Sequence, residues 1–225
     1  MNNKIVIIIF VFSAFLMAGS KIAVATKVTG NAEFQRGTEE QDFSQLKPGT
    51  VLEDGDKVKT GANGFAAVIF IDDKSTLKIR GNSEVQINGQ RSATSISKKI
   101  NMETGTVRAK INDQKKSEFV IQTPTSVASV KGTDFWFVSD LATGDQLFGL
   151  EGNVLFTNIL SGMSMDVTAG LTCVSGHDGS MDMGATNPSD VPVDPDETDG
   201  GQSSQMEIQF EDEDGNTKTL IIEYQ

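Results

Sequence analysis

The stretch FAAVIFIDDKSTLKIR, residues 65–80, decides the fold class of the chain. Residues 65–72 form an apolar run rich in β-branched and aromatic side chains, which is typical of a buried strand. Residues 72–75 are polar and suit a tight turn, and apolar and basic side chains then alternate through residues 76–80. Because successive side chains of a strand point to opposite faces, this order predicts a strand, a turn and a returning strand with one buried face.

The same pattern extends over most of the chain. From about residue 21 to residue 175, short runs rich in Val, Ile, Phe and Thr are separated by Gly, Asn and Asp. Asn88-Gly89 is typical of a hairpin turn. Further strands are predicted at residues 84–87, 105–111, 118–122, 126–130, 134–139, 146–150, 153–158, 164–167 and 171–174. We therefore expect residues 21–175 to form an all-β domain of many short strands, built as a β-sandwich, a roll or a short β-solenoid.

The last quarter of the chain differs in composition. Residues 178–225 carry 13 acidic side chains and a single basic one, so they account for the whole net charge of −12. Residues 176–205 are expected to be an acidic flexible linker, because they bury too little apolar surface to offset the entropy of ordering. Residues 206–225 alternate apolar and polar side chains on both sides of Asp214-Gly215-Asn216, which predicts a C-terminal β-hairpin. An isolated hairpin is marginal in water, so we expect it to dock on the body or pair with another chain.

The N-terminus is typical of an export signal. Lys4 precedes a thirteen-residue apolar and small-residue run, residues 5–17, which is short for a membrane span of about 20 residues. Small-x-small cleavage sites end at Ser20 and at Ala25. We expect residues 1–20 to be a signal peptide, and the mature chain to be exported to the periplasm or the medium without a membrane span. An uncleaved N-terminal anchor is the alternative.

Turn motifs in the body occur in a particular order. They are Gly55-Asp56-x-Val58-x-Thr60-Gly61, Thr123-Pro124, Val130-x-Gly132-Thr133-x-Phe135 and Glu151-Gly152-x-Val154. This ordered set resembles the FecR domain family over roughly residues 22–172. Cleavage after Ala25 would remove part of the first strand of the family, so cleavage after Ser20 is the expectation.

The resemblance implies an all-β domain outside the cytoplasm. In the best-known members of the family, that domain belongs to a membrane-spanning regulator of a sigma factor, which receives a signal from an outer-membrane receptor. This sequence shows neither a cytoplasmic segment able to hold a sigma factor nor an internal membrane span. The resemblance therefore implies a stand-alone exported domain, for which direct sigma-factor regulation is not expected.

The turn residues also have a physical interpretation that is independent of the family. Glycines can supply a positive φ where strands reverse, and Asp and Thr side chains can cap exposed backbone groups. The residues expected to define the fold in this way are Gly55, Asp56, Thr60, Gly61, Gly132, Thr133 and Gly152.

The sequence offers no convincing catalytic group. His177, the only histidine, lies beside Asp178 and Ser180, but the members of a catalytic triad meet through the fold and not as neighbours in a linker. Cys173 is the only cysteine, and its apolar neighbours indicate a buried thiol. One His and one Cys cannot supply a zinc cluster, and nucleotide-binding motifs are missing. We expect neither enzymatic activity nor a cofactor, and the acidic charge argues against nucleic-acid binding.

Trp136 is the first candidate binding residue. With Phe135 directed into the core, alternation turns Trp136 outward, where it could anchor a partner or stack on a sugar. The alternative is that another strand or the C-terminal hairpin covers it.

Charged groups supply two further candidates. Lys98, Lys99, Lys110, Lys115 and Lys116 form a basic cluster that is either a solvated face or a receptor for the acidic tail of the chain itself. Asp194, Asp196 and Asp199 offer hard oxygen ligands for calcium, although their spacing is not that of an EF-hand, and a solvated acidic linker is the alternative.

These observations predict a non-catalytic FecR-like domain that binds a partner or relays a signal at the cell envelope. The partner is an envelope protein or a glycan. Two alternatives remain: an assembly protein that adds its C-terminal hairpin to the sheet of a partner, and a carbohydrate-binding module that uses Trp136.

Overall fold

The computed structural model describes residues 20–37, 42–114, 117–195, 204–211 and 217–224. Strands dominate these residues, which confirms the expected all-β class. The strands are β1 (Lys21–Thr29), β2 (Ala32–Gln35), β3 (Ser44–Gln45), β4 (Val51–Glu53), β5 (Asp56–Thr60), β6 (Phe65–Phe70), β7 (Thr76–Ile79), β8 (Glu84–Arg91), β9 (Ile96–Ile111), β10 (Phe119–Gln122), β11 (Ser126–Val130), β12 (Thr133–Asp140), β13 (Gly144–Glu151), β14 (Asn153–Asn158), β15 (Ser164–Thr168), β16 (Leu171–Ser175), β17 (Met181–Ala185), β18 (Ser204–Glu211) and β19 (Thr217–Tyr224). A short 3-10 helix spans Pro188–Asp190.

The strand pairings define two sheets that share one strand. Sheet A has the order β4-β1-β6-β7-β9-β12-β13-β16-β17. Sheet B has the order β3-β2-β5-β8-β9-β10-β11-β14-β15. Neighbours are antiparallel, except that β9 and β10 run parallel. The chain passes repeatedly from one sheet to the other.

The shared strand β9 changes sheet at Gly105. Its first half, from Ile96 to Met102, pairs with β8, and its second half, from Gly105 to Ile111, pairs with β12 in sheet A. Gly105 has a φ of 122°, a value that side-chain-bearing residues rarely adopt. A Cβ atom there would lie 2.2 Å from the hydroxyl oxygen of Ser83. A glycine is therefore required where the strand bends from one layer into the other.

The hydrophobic core lies between the two sheets. Phe137 of sheet A meets Phe156 of sheet B edge to face, with ring centroids 5.4 Å apart. Phe70 of sheet A and Phe119 of sheet B repeat this arrangement at the same distance. All four rings are fully buried, together with aliphatic side chains from both layers. The sheets consequently pack face to face as a β-sandwich.

The turn predicted at Asn88-Gly89 is wrong. Strand β8 continues through both residues and pairs Gly89 with Lys98, and the chain reverses only at residues 92–95, where Ser92 N donates to Ser95 O at 2.8 Å. A Cβ atom on Gly89 would lie 2.4 Å from the Cδ1 atom of Ile22. The glycine is needed for close packing against β1 and not for a turn.

The sheet extends beyond the boundary predicted at residue 175. Strand β17 pairs with β16 at the edge of sheet A, from Leu171↔Ala185 to Ser175↔Met181. The first part of the expected flexible linker is therefore ordered sheet. Its exposed, unbranched side chains lack the pattern of a half-buried strand, which is why sequence reasoning missed it.

The expected hairpin forms a two-stranded sheet of its own. Strands β18 and β19 pair in register from Ser204↔Tyr224 to Glu211↔Thr217. The predicted turn at residues 214–216 and the expected signal peptide, except for its last residue, lie outside the described residues. No helix among the described residues is long and apolar enough to cross a membrane.

Candidate functional site

A row of cross-strand neighbours crosses the outer face of sheet A. The members of this outer row are Ala67, Lys78, Arg108, Trp136, Phe148, Thr172 and Gly184, each paired with the next. Because Phe135 and Phe137 belong to the core, alternation places Trp136 on the opposite, outer face, as the sequence predicted.

Trp136 is nevertheless covered. It is 1% exposed, and its neighbour Phe148 is 2% exposed, although neither belongs to the core cluster between the sheets. The guanidinium carbons of Arg80 and Arg108 each lie 5.9 Å from the centre of the Trp136 rings, within cation–π range. In this conformation no sugar can stack on the indole, so the prediction of an open carbohydrate platform does not hold.

Ion pairs surround the aromatic part of the outer row. Arg108 binds Asp134 with two parallel hydrogen bonds of 2.9 Å, and its third nitrogen donates to Asp194 Oδ2 at 2.7 Å. Lys78 Nζ donates to the same Asp194 oxygen at 2.8 Å. The side chain of Asp194 is only 1% exposed. A carboxylate buried to this extent needs paired cations to offset its desolvation, and both are supplied by sheet A.

We infer from the path of the chain that the segment after β17 covers Trp136. We call residues 186–194 the strap. It begins where Thr186 N donates to Gly170 O at 2.8 Å, and it ends at Asp194 against β7 and β9. Four strand spacings separate β17 from β9, about 19 Å, and nine extended residues reach about 30 Å. The strap must therefore cross β16, β13 and β12, where Phe148 and Trp136 lie.

Asp194 of the acidic tail thus pairs with basic residues of the body, but at a different place from the predicted cluster. Its receptor is the pair Lys78 and Arg108 on sheet A. Neither of these residues belongs to the predicted cluster. The signal for Lys78 in the sequence was the alternation of Lys78 and Arg80 with buried Leu77 and Ile79, which indicates an outward basic face.

Lys98 does not belong to a surface cluster. It lies on the inner face of β9, and its fully buried ammonium group pairs with Asp72 at 2.9 Å and Asp73 at 2.7 Å. Burial by itself raises the pKa of Asp73, but hydrogen bonds from Lys98, Gln114 and the Ser75 amide outweigh it and hold that pKa below its ordinary value. Lys98 is therefore a structural charge and not a binding residue.

Of the other predicted lysines, Lys99 and Lys110 are described, and they are exposed on different halves of β9. Lys99 is exposed on the outer face of sheet B, where an open groove of about 740 Å³ is lined by residues that include Asn88, Gln90, Glu118 and Gln122. Lys115 and Lys116 lie outside the described residues. Most residues that line the groove have polar side chains, and none of the described ones is aromatic.

Several of the fold-defining turn residues have the expected roles. The fully buried Asp56 accepts hydrogen bonds from Arg36 Nη1 at 2.7 Å, Gly37 N at 2.9 Å and Glu53 N at 2.8 Å. Thr60 Oγ1 accepts from Ser83 N at 3.0 Å. Positive φ angles occur at Gly55, Gly132 and Gly152.

Two of these turn predictions are wrong. Gly61 does not adopt a positive φ; its constraint is Asn31, whose side chain would lie 3.2 Å from a Cβ atom at this position. The hydroxyl of Thr133 caps nothing, because it is buried without a hydrogen-bond partner. Its methyl group instead packs against Gly152, where an added Cβ atom would lie 2.9 Å from the Cγ2 atom of Thr133.

The remaining candidate groups are buried or hydrogen-bonded. Burial, and secondarily the charge of Asp182, raises the pKa of the Cys173 thiol to about 11, so the thiolate is scarce at neutral pH. His177 Nδ1 lies 2.8 Å from Thr125 Oγ1, while the Ser180 hydroxyl donates to Asp178.

The calcium candidate is only partly visible. Asp194 is engaged by two cations, and Asp196 and Asp199 lie outside the described residues. Over the part of the chain that the structure describes, no group of three His, Cys, Asp or Glu side chains could hold a metal ion.

Comparison with known proteins finds a family match within the sandwich. Residues 56–155 match the family model described as FecR protein. Lys78, Arg108 and Trp136 fall inside the matched residues, and the strap falls outside them. No curated protein matches the chain.

Solved structures share the fold. One is a 2.50 Å crystal structure of a candidate anti-sigma factor from Parabacteroides distasonis ATCC 8503, with 13% identity and a TM-score of 0.50 over 58% of this chain and 60% of that one. A second crystal structure of the same description, at 1.65 Å, has 14% identity, a TM-score of 0.49 and the same coverage. The chain thus spans about 60% of the length of these proteins.

Proposed function

We propose that this protein is a non-catalytic signal-relay protein of the cell envelope, which acts by binding another protein. The FecR domain over residues 56–155 is the observation that carries the proposal. Domains of this family serve regulation, and the shared fold of the candidate anti-sigma factor from Parabacteroides distasonis is consistent with that role.

The outer row of sheet A is the surface that we assign to the partner. Trp and Arg are the residue types that most often dominate the binding energy of protein interfaces, and Trp136 here lies 5.9 Å from each of two guanidinium groups. The surrounding charges favour a partner with carboxylates over a neutral glycan. The open groove of sheet B offers neither an aromatic ring among its described lining residues nor a comparable charge arrangement.

Export is part of the proposal, and the start of β1 supports it. The strand begins at Lys21, directly after the first cleavage site, and Ile22, Ala23, Val24 and Ala25 are buried. Cleavage after Ala25 would remove all four from a strand that lies between β4 and β6. We expect the intact mass of the secreted protein to correspond to a chain that starts at Lys21. A mass that corresponds to a start at Thr26 would contradict this.

The relay function is tested in the native host. A photocrosslinking residue at Val193, exposed beside the outer row, should capture one defined envelope protein, whereas the same residue at the equally exposed Leu141 should not. Deletion of the gene should change a restricted set of transcripts, which the unmodified chain restores. An unchanged transcript profile would contradict the relay function, and turnover of an envelope polymer by the purified protein would contradict its non-catalytic character.

A further inference from the structure

We propose that the outer row is a binding site for an acidic, extended, proline-containing peptide segment of a partner protein, and that the strap is a built-in ligand which occupies this site. The inference rests on the proposed relay function, since it names the chemistry of the partner and the way in which the site is regulated.

The site has the charge of an anion receptor. Lys78, Arg80 and Arg108 bring three cationic side chains to the outer face of sheet A, where Arg108 also pairs with Asp134. Asp194 places one carboxylate oxygen at 2.8 Å from Lys78 Nζ and 2.7 Å from Arg108 Nη1. A ligand carboxylate at this position makes two charge-assisted hydrogen bonds, which are about twice as strong as neutral ones.

The strap has the composition of an interchangeable peptide. It reads TNPSDVPVD, residues 186–194, and Pro195 follows. Asn187 and Val191 both have extended backbone angles. Prolines restrict the unbound chain to such conformations, so an extended peptide of this type loses little entropy when it binds. A partner protein can present a short acidic, proline-containing segment of the same type.

The strap can leave without unfolding the sandwich. Apart from the 3-10 turn it forms no regular element, and none of its described residues pairs in either sheet. Val193 is 62% exposed, and Trp136 and Phe148 lie outside the core cluster. The strap is consequently held at its far end by the Asp194 ion pairs. Because the strap is covalently linked to β17, its effective concentration at the site is on the order of mM. A partner segment must therefore bind more tightly than the strap, or reach a higher local concentration, to displace it.

Trp136 reports directly on this exchange, because it is the only tryptophan of the chain. In the full chain, Asp194→Ala should release the strap, shift the emission of Trp136 to longer wavelength and raise its quenching by acrylamide several-fold. Asp190→Ala is the matched control, since it removes the same charge from an exposed position of the same strap. Equal quenching of the unmodified chain and the Asp194→Ala variant would overturn the proposal.

A synthetic peptide of residues 186–195 tests the ligand class. Added to the Asp194→Ala variant, it should restore the low quenching, and a peptide with Ala in place of the aspartate at position 194 should bind about 10–100-fold more weakly. The unmodified chain should show no response at the same concentration, because its strap occupies the site. Failure of the unmodified peptide to bind the Asp194→Ala variant would overturn the assignment of the ligand.

Lys78→Met provides an independent variant on the sheet side. It should release the strap and raise the quenching of Trp136 although the sequence of the strap is unaltered. It should also bind the peptide more weakly than the Asp194→Ala variant does. Lys99→Met, on the outer face of sheet B, should leave both quantities unchanged. Unaltered quenching in the Lys78→Met variant would contradict the proposal even if Asp194→Ala failed to fold. These measurements use purified protein, so their failure would overturn the peptide site alone. The relay function is tested separately by the transcript experiment in the native host.

Discussion

Lys98 and Lys99 are neighbours in the sequence, yet they differ completely in their surroundings. Lys99 is exposed, whereas Lys98 buries its ammonium group between two carboxylates, 5.5 Å from the centre of the Phe70 ring. Burying a charge is costly unless it is paired and hydrogen-bonded. The group of Lys98, Asp72 and Asp73 therefore matters for stability, while the binding that we propose would use charges of the outer face.

Replacement of Lys98 by Ala should destabilise the domain strongly. It leaves Asp72 and Asp73 partly buried without their shared cation, a change that typically costs about 3–5 kcal/mol. Lys99→Ala, one residue further and exposed, should change the free energy of unfolding by less than about 0.5 kcal/mol. Urea unfolding of both variants measures the difference, and equal midpoints would contradict the structural role of Lys98.

The lowered pKa of Asp73 predicts a dependence of stability on pH. Its ordinary value is 3.8 and the folded state holds it lower, so the folded state favours the charged form. The resulting stabilisation is complete above the unfolded pKa and is lost as pH falls through the folded pKa. The difference in unfolding free energy between the unmodified chain and Asp73→Asn should therefore be largest near neutrality and shrink below about pH 4. A difference that stays constant from pH 7 to pH 3 would refute this.

Sequence reasoning succeeded at residues whose role is local. The capping by Asp56 needs only a turn and adjacent amides, both visible in the sequence. It failed for Thr133, whose environment is set by a distant glycine, and for Lys98, whose partners lie about 25 residues away. It placed Trp136 on the correct face but could not show the strap that covers it, because that contact joins residues far apart in the chain.

At the scale of elements, β9 shows where pattern recognition stops. Its second half was predicted at residues 105–111, but its first half was not, because Asn88-Gly89 suggested an early turn and a buried lysine interrupts the apolar alternation. Sequence periodicity also cannot show that one strand serves two sheets. The two-layer arrangement becomes visible only through the pairings of β9 with β8 and β12.

Gly105→Ala tests the change of sheet in β9. A positive φ of this size costs a side-chain-bearing residue about 1–3 kcal/mol, and the new methyl group would also collide with Ser83. We expect a loss of at least about 2 kcal/mol in the free energy of unfolding. Gly184→Ala is the control, since its Cβ meets nothing within 4 Å. Similar unfolding midpoints for the two variants would show that the bend does not need glycine.

At the scale of the whole molecule, the chain divides into a sandwich with its strap and a separate two-stranded sheet, β18 and β19. The hairpin was predicted from alternation and confirmed in its pairing. The strap was predicted as part of a flexible acidic linker, and composition alone could not indicate that Asp194 would be buried between two cations of sheet A.

Removal of residues 204–225 separates the assembly alternative from the relay proposal. Because the hairpin strands pair with each other and not with either large sheet, the unfolding midpoint of the sandwich should remain unchanged. If the hairpin joins copies of the chain or adds to the sheet of a partner, the number of chains per particle, derived from light scattering of the protein alone or with the captured partner, should fall. An unchanged number of chains under both conditions would exclude assembly through the hairpin.

The sharing of β9 between both layers has a mechanical consequence. Because β9 runs through both layers as one continuous strand, neither sheet can separate from the other without disrupting it. We therefore expect the two layers to unfold together. The backbone amides of the sandwich should exchange with deuterium in a single slow class in which the two layers lose protection together. The strap pairs with neither layer, so we expect its displacement to expose the aromatic surface without opening this unit.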